Sequence, residues 1–186
     1  NTTVYGGSPN FRTDLVLNRM ISCAVTTGKV VLTSDGNAYR APLHIQDLCQ
    51  AFLTVLRANT HLVHKQIFNI GVDEETLRLK DIAQTVVDTI PGSTIETVPH
   101  AAPDARDHYV DFSRFLRRFP DFRYKWRIPN GVREVGRLLE ELRFEQGDVD
   151  SRKYVRLNQL KYLLDSSKIL PNLRWRNKIL KAQEVH

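Results

Sequence analysis

SDGNAYRAPLHIQDLCQAF, residues 34–52, joins a tight turn, an arginine, a short apolar strand and an amphipathic helix in nineteen positions. Asp35-Gly36 is a turn signal, because glycine supplies the positive φ that side chains resist. Arg40 stands beside Pro42-Leu43-His44-Ile45, a rigid strand from which a planar fork of donors could grip a phosphate. The alternative for the same residue is a solvated surface arginine. Asp47 falls in the first turn of the following helix, where the dipole favours a carboxylate. Leu48, Ala51, Phe52, Val55 and Leu56 recur at helical spacing, so one face of that helix is expected to be buried.

The same alternation of strand and helix continues on both sides, which is the pattern of an α/β protein. Upstream, Thr2–Tyr5 reads as a strand running into Gly6-Gly7-Ser8-Pro9. A helix from about Asp14 to Thr27 carries Leu15, Leu17, Met20, Ile21 and Val25, with Gly28 as its cap. Lys29–Thr33 is a β-branched strand. Downstream, Gln66–Gly71 is a short apolar run expected to be a strand buried on both faces. A helix from Leu79 turns Ile82, Ala83, Val86 and Ile90 inward and stops at Pro91-Gly92, and Ser93–Val98 is a strand. A Pro103–Arg106 loop leads to a short helix from Ser113. Pro129 suits the first turn of a helix whose Val132, Val135, Leu139 and Leu142 form one stripe. The tail is expected to be helical over Tyr154–Leu164.

With 186 residues, 41% apolar and 26% charged, the chain suits one good-sized globular domain, and no run of apolar residues is long enough to span a bilayer. Cys23 and Cys49 both fall in apolar helical stretches without a CxxC pair, so buried thiols in a reducing, cytoplasmic setting are expected. Asn1 opens directly into a strand with no signal peptide and no initiating methionine, which suggests a piece of something longer. A net charge of +6 and a pI near 9.5 favour an anionic partner. Basic residues crowd Arg114–Arg127 and the tail from Arg152 to Lys181. Nucleic acid therefore stays a candidate, although no zinc-finger spacing, aromatic-rich strand or recognition helix accompanies the charge. His61 and His64 lack further converging ligands, so no metal site is expected.

Four short motifs, taken in order, resemble the extended short-chain dehydrogenase/reductases, the NAD-dependent nucleotide-sugar epimerases and dehydratases. Thr3-Val4-Tyr5-Gly6 is similar to that family's Asn-Val-Tyr-Gly strand end. Gly36, Arg40, His44 and Asp47 resemble its Gly-x-x-x-Arg-Asp-x-x-His-Val-x-Asp segment, and Phe68-Asn69-Ile70-Gly71 its late Tyr-Asn-Val-Gly strand. Pro103-Asp104-Ala105-Arg106, then Tyr109-Val110-Asp111 and Ser113, resemble its Pro-Gly-Asp-x-Arg and Asp-x-Ser-Lys stretch. The likeness runs to about Arg143. Departures are Thr3 for asparagine, Gly7 for proline, Ala41 for aspartate, Gln46 for an acid and Arg114 for lysine.

The resemblance implies the carboxyl-terminal portion of a Rossmann-like doubly wound fold, with two late parallel strands, Thr2–Tyr5 and Ile67–Ile70, and a small mixed α/β substrate-binding lobe. Residues 1–146 would form this part and 147–186 a basic, helical extension. Substrate contacts are implied at Thr3, Asn18, Arg40 and Arg106, the two arginines flanking the diphosphate of a nucleotide-linked sugar. For Asn18 the other reading is a polar residue on the exposed side of its helix. The parent enzyme would use NAD or NADP. Nothing in the chain matches a G-x-G-x-x-G or G-x-x-G-x-x-G turn, and no tyrosine has a lysine four residues on, so no catalytic residue is assigned and the chain alone is expected to bind no cofactor and to be inactive. Its expected partners are a nucleotide-diphosphate sugar and the missing amino-terminal half, with self-association of the isolated chain through unpaired apolar edges. The alternatives are an inactive phosphate-binding or protein-interaction module of the same descent and a basic nucleic-acid binder.

Overall fold

The computed structural model describes residues 3–99, 101–104 and 109–176. Arg106, one of the four expected substrate contacts, lies outside them.

Strand β1 (Thr3–Tyr5) is followed by helix α1 (Val16–Thr27), then β2 (Lys29–Leu32), β3 (Tyr39–Arg40) and β4 (Pro42–His44), and α2 (Ile45–Arg57) follows β4 without a loop. A short α3 (Thr60–Val63), β5 (Leu77–Arg78), α4 (Leu79–Thr89) and β6 (Thr94–Thr97) come next. The chain closes with α5 (Ser113–Arg118), α6 (Ile128–Glu141), α7 (Gln146–Val149) and α8 (Arg156–Asp165). The strands among the described residues pair in twos. β1 runs parallel to β4 with Val4 opposite Leu43, β2 runs parallel to β6 with Val30 opposite Ile95, and β3 is antiparallel to β5 with Arg40 opposite Leu77. Parallel pairs joined by helical crossovers make this an α/β fold.

Helix periodicity places the core. α1 buries Leu17, Met20, Ile21 and Ala24, and Gly28 ends it in the left-handed region at φ 67°. α4 buries Leu79, Ile82, Ala83 and Val86, and α6 buries Ile128, Val132, Val135 and Leu139. These three faces pack on Val30 and Leu32 as one cluster. At Gly131 the helix comes so close to Tyr5 that an added Cβ would sit 2.4 Å from the phenol ring. A second cluster gathers Phe115, Phe119 and Phe122 against Ala51, with Phe68, Ile70 and Val55 beside it.

One buried and one half-buried acid fix the entry to α6. Asp47, in the first turn of α2, accepts the backbone N–H groups of Lys125 and Trp126, each at 3.0 Å. Glu75 accepts the N–H of Ile128 at 2.9 Å, and burial raises its pKa against the pull of that bond and of Arg127.

Three expectations need correction. The strand expected at Gln66–Gly71 is not formed. Exposure alternates along it, with Ile67 79% exposed while Phe68 and Ile70 face inward, and the N–H groups of Ile67, Phe68 and Asn69 have no hydrogen-bond partner among the described residues. It has strand periodicity without a neighbouring strand to complete the ladder. The apolar face of α2 is not buried as expected either: of its stripe only Ala51 is enclosed, while Phe52 is 62% and Leu56 78% exposed. Periodicity set the stripe, but among the described residues nothing covers its Phe52 and Leu56 end. Leu142, read as the end of the α6 stripe, is exposed because the helix stops at Glu141 before the turn that would bring it inward.

The boundary expected at 146/147 falls inside α7, whose Val149 is buried in the main cluster. Thr13 donates its hydroxyl to the Val149 carbonyl at 2.7 Å, and its N–H reaches the Tyr154 carbonyl at 3.2 Å.

Candidate functional site

Arg40 is held by backbone and by charge. β3 is pinned across to β5, and the Arg40 guanidinium donates through Nη1 to the Tyr39 carbonyl and through Nη2 to Asp104 Oδ2, both at 2.7 Å. The two charged side chains are 13% and 11% exposed. A pair this enclosed is stronger than a surface ion pair, because water screens it less. Asp104, with Ala102 and Pro103, forms one wall of a cleft of about 630 Å³. Val16, Met20 and Cys23 of α1, with Leu32 and Leu79, give it an apolar floor, and Thr33, Ser34 and Arg19 give it a polar rim. Arg19 is itself paired to Asp150 at 2.8 Å. Burial raises the Cys23 thiol pKa in this cleft.

The other expected contacts lie elsewhere. Thr3, half-buried at the start of β1, lines a cleft of about 680 Å³ with Phe52, Phe68, Asn69 and Ile70. Asn18 lines a third, of about 370 Å³, at the carboxyl end of β1 with Gly6, Ser8, Asn10 and Arg12. The second and third clefts share Val4, Arg12 and Leu15. Asn18 is not on an exposed helix side. It is 2% exposed, its Oδ1 accepts the Gly6 N–H at 3.2 Å, and its Nδ2 donates to the Arg12 carbonyl at 2.9 Å.

The loop after β1 is tied down at its next residue as well. Gly7 N–H donates to Glu134 Oε2 at 3.2 Å, and the same carboxylate faces His44 Nε2 at 3.5 Å. His44 is buried, stacked on Trp126 with ring centroids 3.8 Å apart, and its Nδ1 accepts the Gln46 N–H. That bond leaves the proton on Nε2, toward Glu134. The His44 bond, then that of Gly7, lowers the Glu134 pKa against its burial. Gly6 has φ 113°, and a Cβ there would lie 2.6 Å from His44 Nε2, so glycine is required on both counts.

This loop is where a dinucleotide pyrophosphate would need free N–H groups at a helix amino terminus. Both glycine donors are already taken, by Asn18 and Glu134, and α1 begins nine residues beyond Gly7 at Val16. The described residues form a cleft with an apolar floor, and Asp104 of its wall is paired to Arg40.

Residues 1–71 match the NAD dependent epimerase/dehydratase family. The matched stretch includes Thr3, Asn18 and Arg40 and stops short of Arg106. Solved structures share the fold. An NAD dependent NDP-hexosamine 5,6-dehydratase, TunA, involved in tunicamycin biosynthesis, superposes with a TM-score of 0.62 at 17% identity, over 75% of this chain and 44% of that one. UDP-glucuronic acid 4-epimerase from Bacillus cereus, in complex with UDP-glucuronic acid and NAD, gives 0.59 at 18%, over 75% and 43%. L-threonine dehydrogenase from Phytophthora infestans gives 0.59 at 14%, over 75% and 46%. The chain thus spans less than half the length of these structures. Among curated proteins none matches the sequence.

Nothing in one sequence pairs the loop acid Asp104 with an arginine 64 positions away. Glu134 is likewise recruited to the β1 loop only by the fold.

Proposed function

We propose that this chain is the carboxyl-terminal, substrate-holding part of an NAD(P)-dependent epimerase or dehydratase acting on a nucleotide-diphosphate sugar. The observation that carries the reading is Arg40, enclosed against Asp104 of the wall of the 630 Å³ cleft and lying within a stretch that matches that family. A diphosphate needs a cation charged at every working pH that can donate parallel hydrogen bonds, and a guanidinium on a short paired strand meets both needs. In this reading the apolar floor of Met20, Leu32 and Leu79 receives the nucleoside and Arg40 the diphosphate, with Arg106 as a second cation. Thr3 and Asn18 line the neighbouring clefts at β1, the end of a parallel strand where such folds receive ligands. The hydride chemistry belongs to NAD or NADP bound by sequence outside these 186 residues, in a cytoplasmic parent enzyme, so the isolated chain is inactive.

The amino-terminal half is the second partner in this proposal. Support comes from the N–H groups of Ile67, Phe68 and Asn69, which have no partner among the described residues, and from the open apolar face of Phe52 and Leu56 beside them. Together they offer one strand edge and one helix face to a further strand and layer. In its absence the same surface favours self-association.

Ligand-observed NMR with UDP-, dTDP- and GDP-sugars tests the reading. Saturation transfer to at least one of them, lost on Arg40→Ala, is expected. No transfer from any of them, or transfer untouched by the substitution, refutes it.

A further inference from the structure

We propose that the carboxyl-terminal segment forms a second oxyanion site, in which Arg152, Lys168 and Arg176 hold a phosphate group beside the Tyr162 hydroxyl. The site shares no residue with the cleft next to Arg40 and does not rest on the reading of that cleft.

From Arg152 to Arg176 the sequence carries seven lysines or arginines and one acid, Asp165. The fold gathers part of that charge at one place. Arg152, between α7 and α8, sets its guanidinium 3.8 Å from the centre of the Tyr162 ring, and Lys168 donates to the Tyr162 hydroxyl at 3.0 Å. The end of α8 puts Lys168 there, because its N–H and that of Ile169 both bond the Leu163 carbonyl, at 2.9 and 3.2 Å. The chain then doubles back on itself. Ile169 bridges Trp175 in antiparallel register, Leu170 N–H bonds the Arg174 carbonyl at 2.8 Å, and Arg176 N–H bonds the Lys168 carbonyl at 3.2 Å. In that register Lys168 stands opposite Arg176, while Ile169, on the other face, is buried and anchors the turn. Two cations thus meet on one phenol, and a third stands across from the second.

Like charges directly opposite on paired segments destabilise the pairing, and among the described residues no carboxylate forms an ion pair with Arg152, Lys168 or Arg176. The π face of Tyr162 offsets part of the charge on Arg152. The Lys168 bond, and then Arg152, draw the Tyr162 pKa down to about 8, as a positive potential at the hydroxyl requires. A phosphate answers that potential. Its oxygens accept from a guanidinium fork and an ammonium together while the phenol donates. A carboxylate offers two oxygens where a phosphate offers three, so phosphate is the class that engages all three cations.

Calorimetric titration of the full chain with inorganic pyrophosphate, and separately with a single-stranded oligothymidylate, tests the site in wild type, Arg152→Ala, Lys168→Ala, Arg176→Ala and Lys161→Ala. The four replaced side chains are all exposed, so the variants should melt as wild type does. Phenolate absorbance of wild type is titrated with and without pyrophosphate, and Tyr162→Phe assigns the Tyr162 transition. This second readout needs no charge variant to fold. Expected are pyrophosphate binding that weakens about fivefold in each of the three site variants and is unaltered in Lys161→Ala, and a Tyr162 transition moved to higher pH by the bound anion. Absence of pyrophosphate binding overturns the site, as does binding that leaves the Tyr162 transition where it was. Equal weakening in Lys161→Ala overturns it too, because net charge would then be the cause. Oligothymidylate binding that is lost in the same three variants supports a phosphate carried on a nucleic-acid strand, whereas pyrophosphate binding as expected without oligothymidylate binding supports a phosphate carried on a small molecule.

Discussion

Replacing Asn18 by alanine should loosen the loop after β1 before it changes any ligand contact. Its amide bridges Gly6 N–H and the Arg12 carbonyl from a side chain that is 2% exposed. Removing it leaves one donor and one acceptor without their partner, and each unsatisfied group costs about 1–3 kcal/mol. The sum is about 3 kcal/mol. For a chain of 186 residues each kcal/mol lowers the melting temperature by about 2–4 °C, so a fall of about 6–12 °C is expected. Asn18→Asp sharpens the test. It keeps an acceptor for Gly6 but turns a second oxygen toward the Arg12 carbonyl and adds a buried charge, so it should destabilise at least as much. Differential scanning calorimetry and urea unfolding at fixed protein concentration read both variants. An Asn18→Ala protein that melts within about 1 °C of wild type would refute the bridging role, since two lost hydrogen bonds cannot be that silent. If that variant also lost binding of a nucleotide sugar, Asn18 would be a ligand contact instead.

Other perturbations test the frame around the clefts. Asp47→Ala strands the N–H groups of Lys125 and Trp126 and should destabilise by about 3 kcal/mol in urea unfolding, with the largest gain in hydrogen exchange at those two amides. Gly131→Ala would gain up to about 1 kcal/mol in helix propensity, yet its Cβ meets the buried Tyr5 ring at 2.4 Å. A net loss of about 2 kcal/mol is expected, and a stabilised variant would show that Tyr5 can move aside. The depressed Glu134 pKa gives a contribution that is complete above the ordinary glutamate value of 4.5 and lost as pH falls through the lower folded value. Glu134→Gln should therefore remove part of the acid dependence of stability below pH 4.5, measured by unfolding across an acid series. Lys168 donates to the Tyr162 hydroxyl at 3.0 Å, and Arg152 lies over the ring; together they bring the Tyr162 pKa down to about 8. Spectrophotometric titration should resolve one phenolate there that moves up on Lys168→Ala, and stability from this group should grow as pH rises from about 8 toward 10.

The elements were legible where local chemistry decides them. Gly28 closes α1 in the left-handed region, Asp47 sits in the first turn of α2, and the stripes of α4 and α6 up to Leu139 face the core, because spacing of 3.6 residues and cap preferences act within a few positions. Gln66–Gly71 has the alternation of a strand, and the alternation survives in its exposure pattern. Whether it becomes a strand depends on a neighbour, which periodicity does not encode. For the same reason the apolar stripe of α2 was readable and its exposure was not: a sequence says which face is apolar and leaves open what lies over it.

By itself, then, the sequence determined an α/β order of elements, the helix faces and caps, and a run of motifs within residues 1–71 that match the epimerase/dehydratase family. Only the tertiary structure decided that Arg40 is engaged by Asp104, that Asn18 is a buried bridge, and that Asp47 and Glu75 hold the entry to α6. The physical reason is range. Capping and periodicity are local free energies written in neighbouring residues, whereas the partner of a buried charge or amide is set by which distant segments the packed core brings within 3 Å.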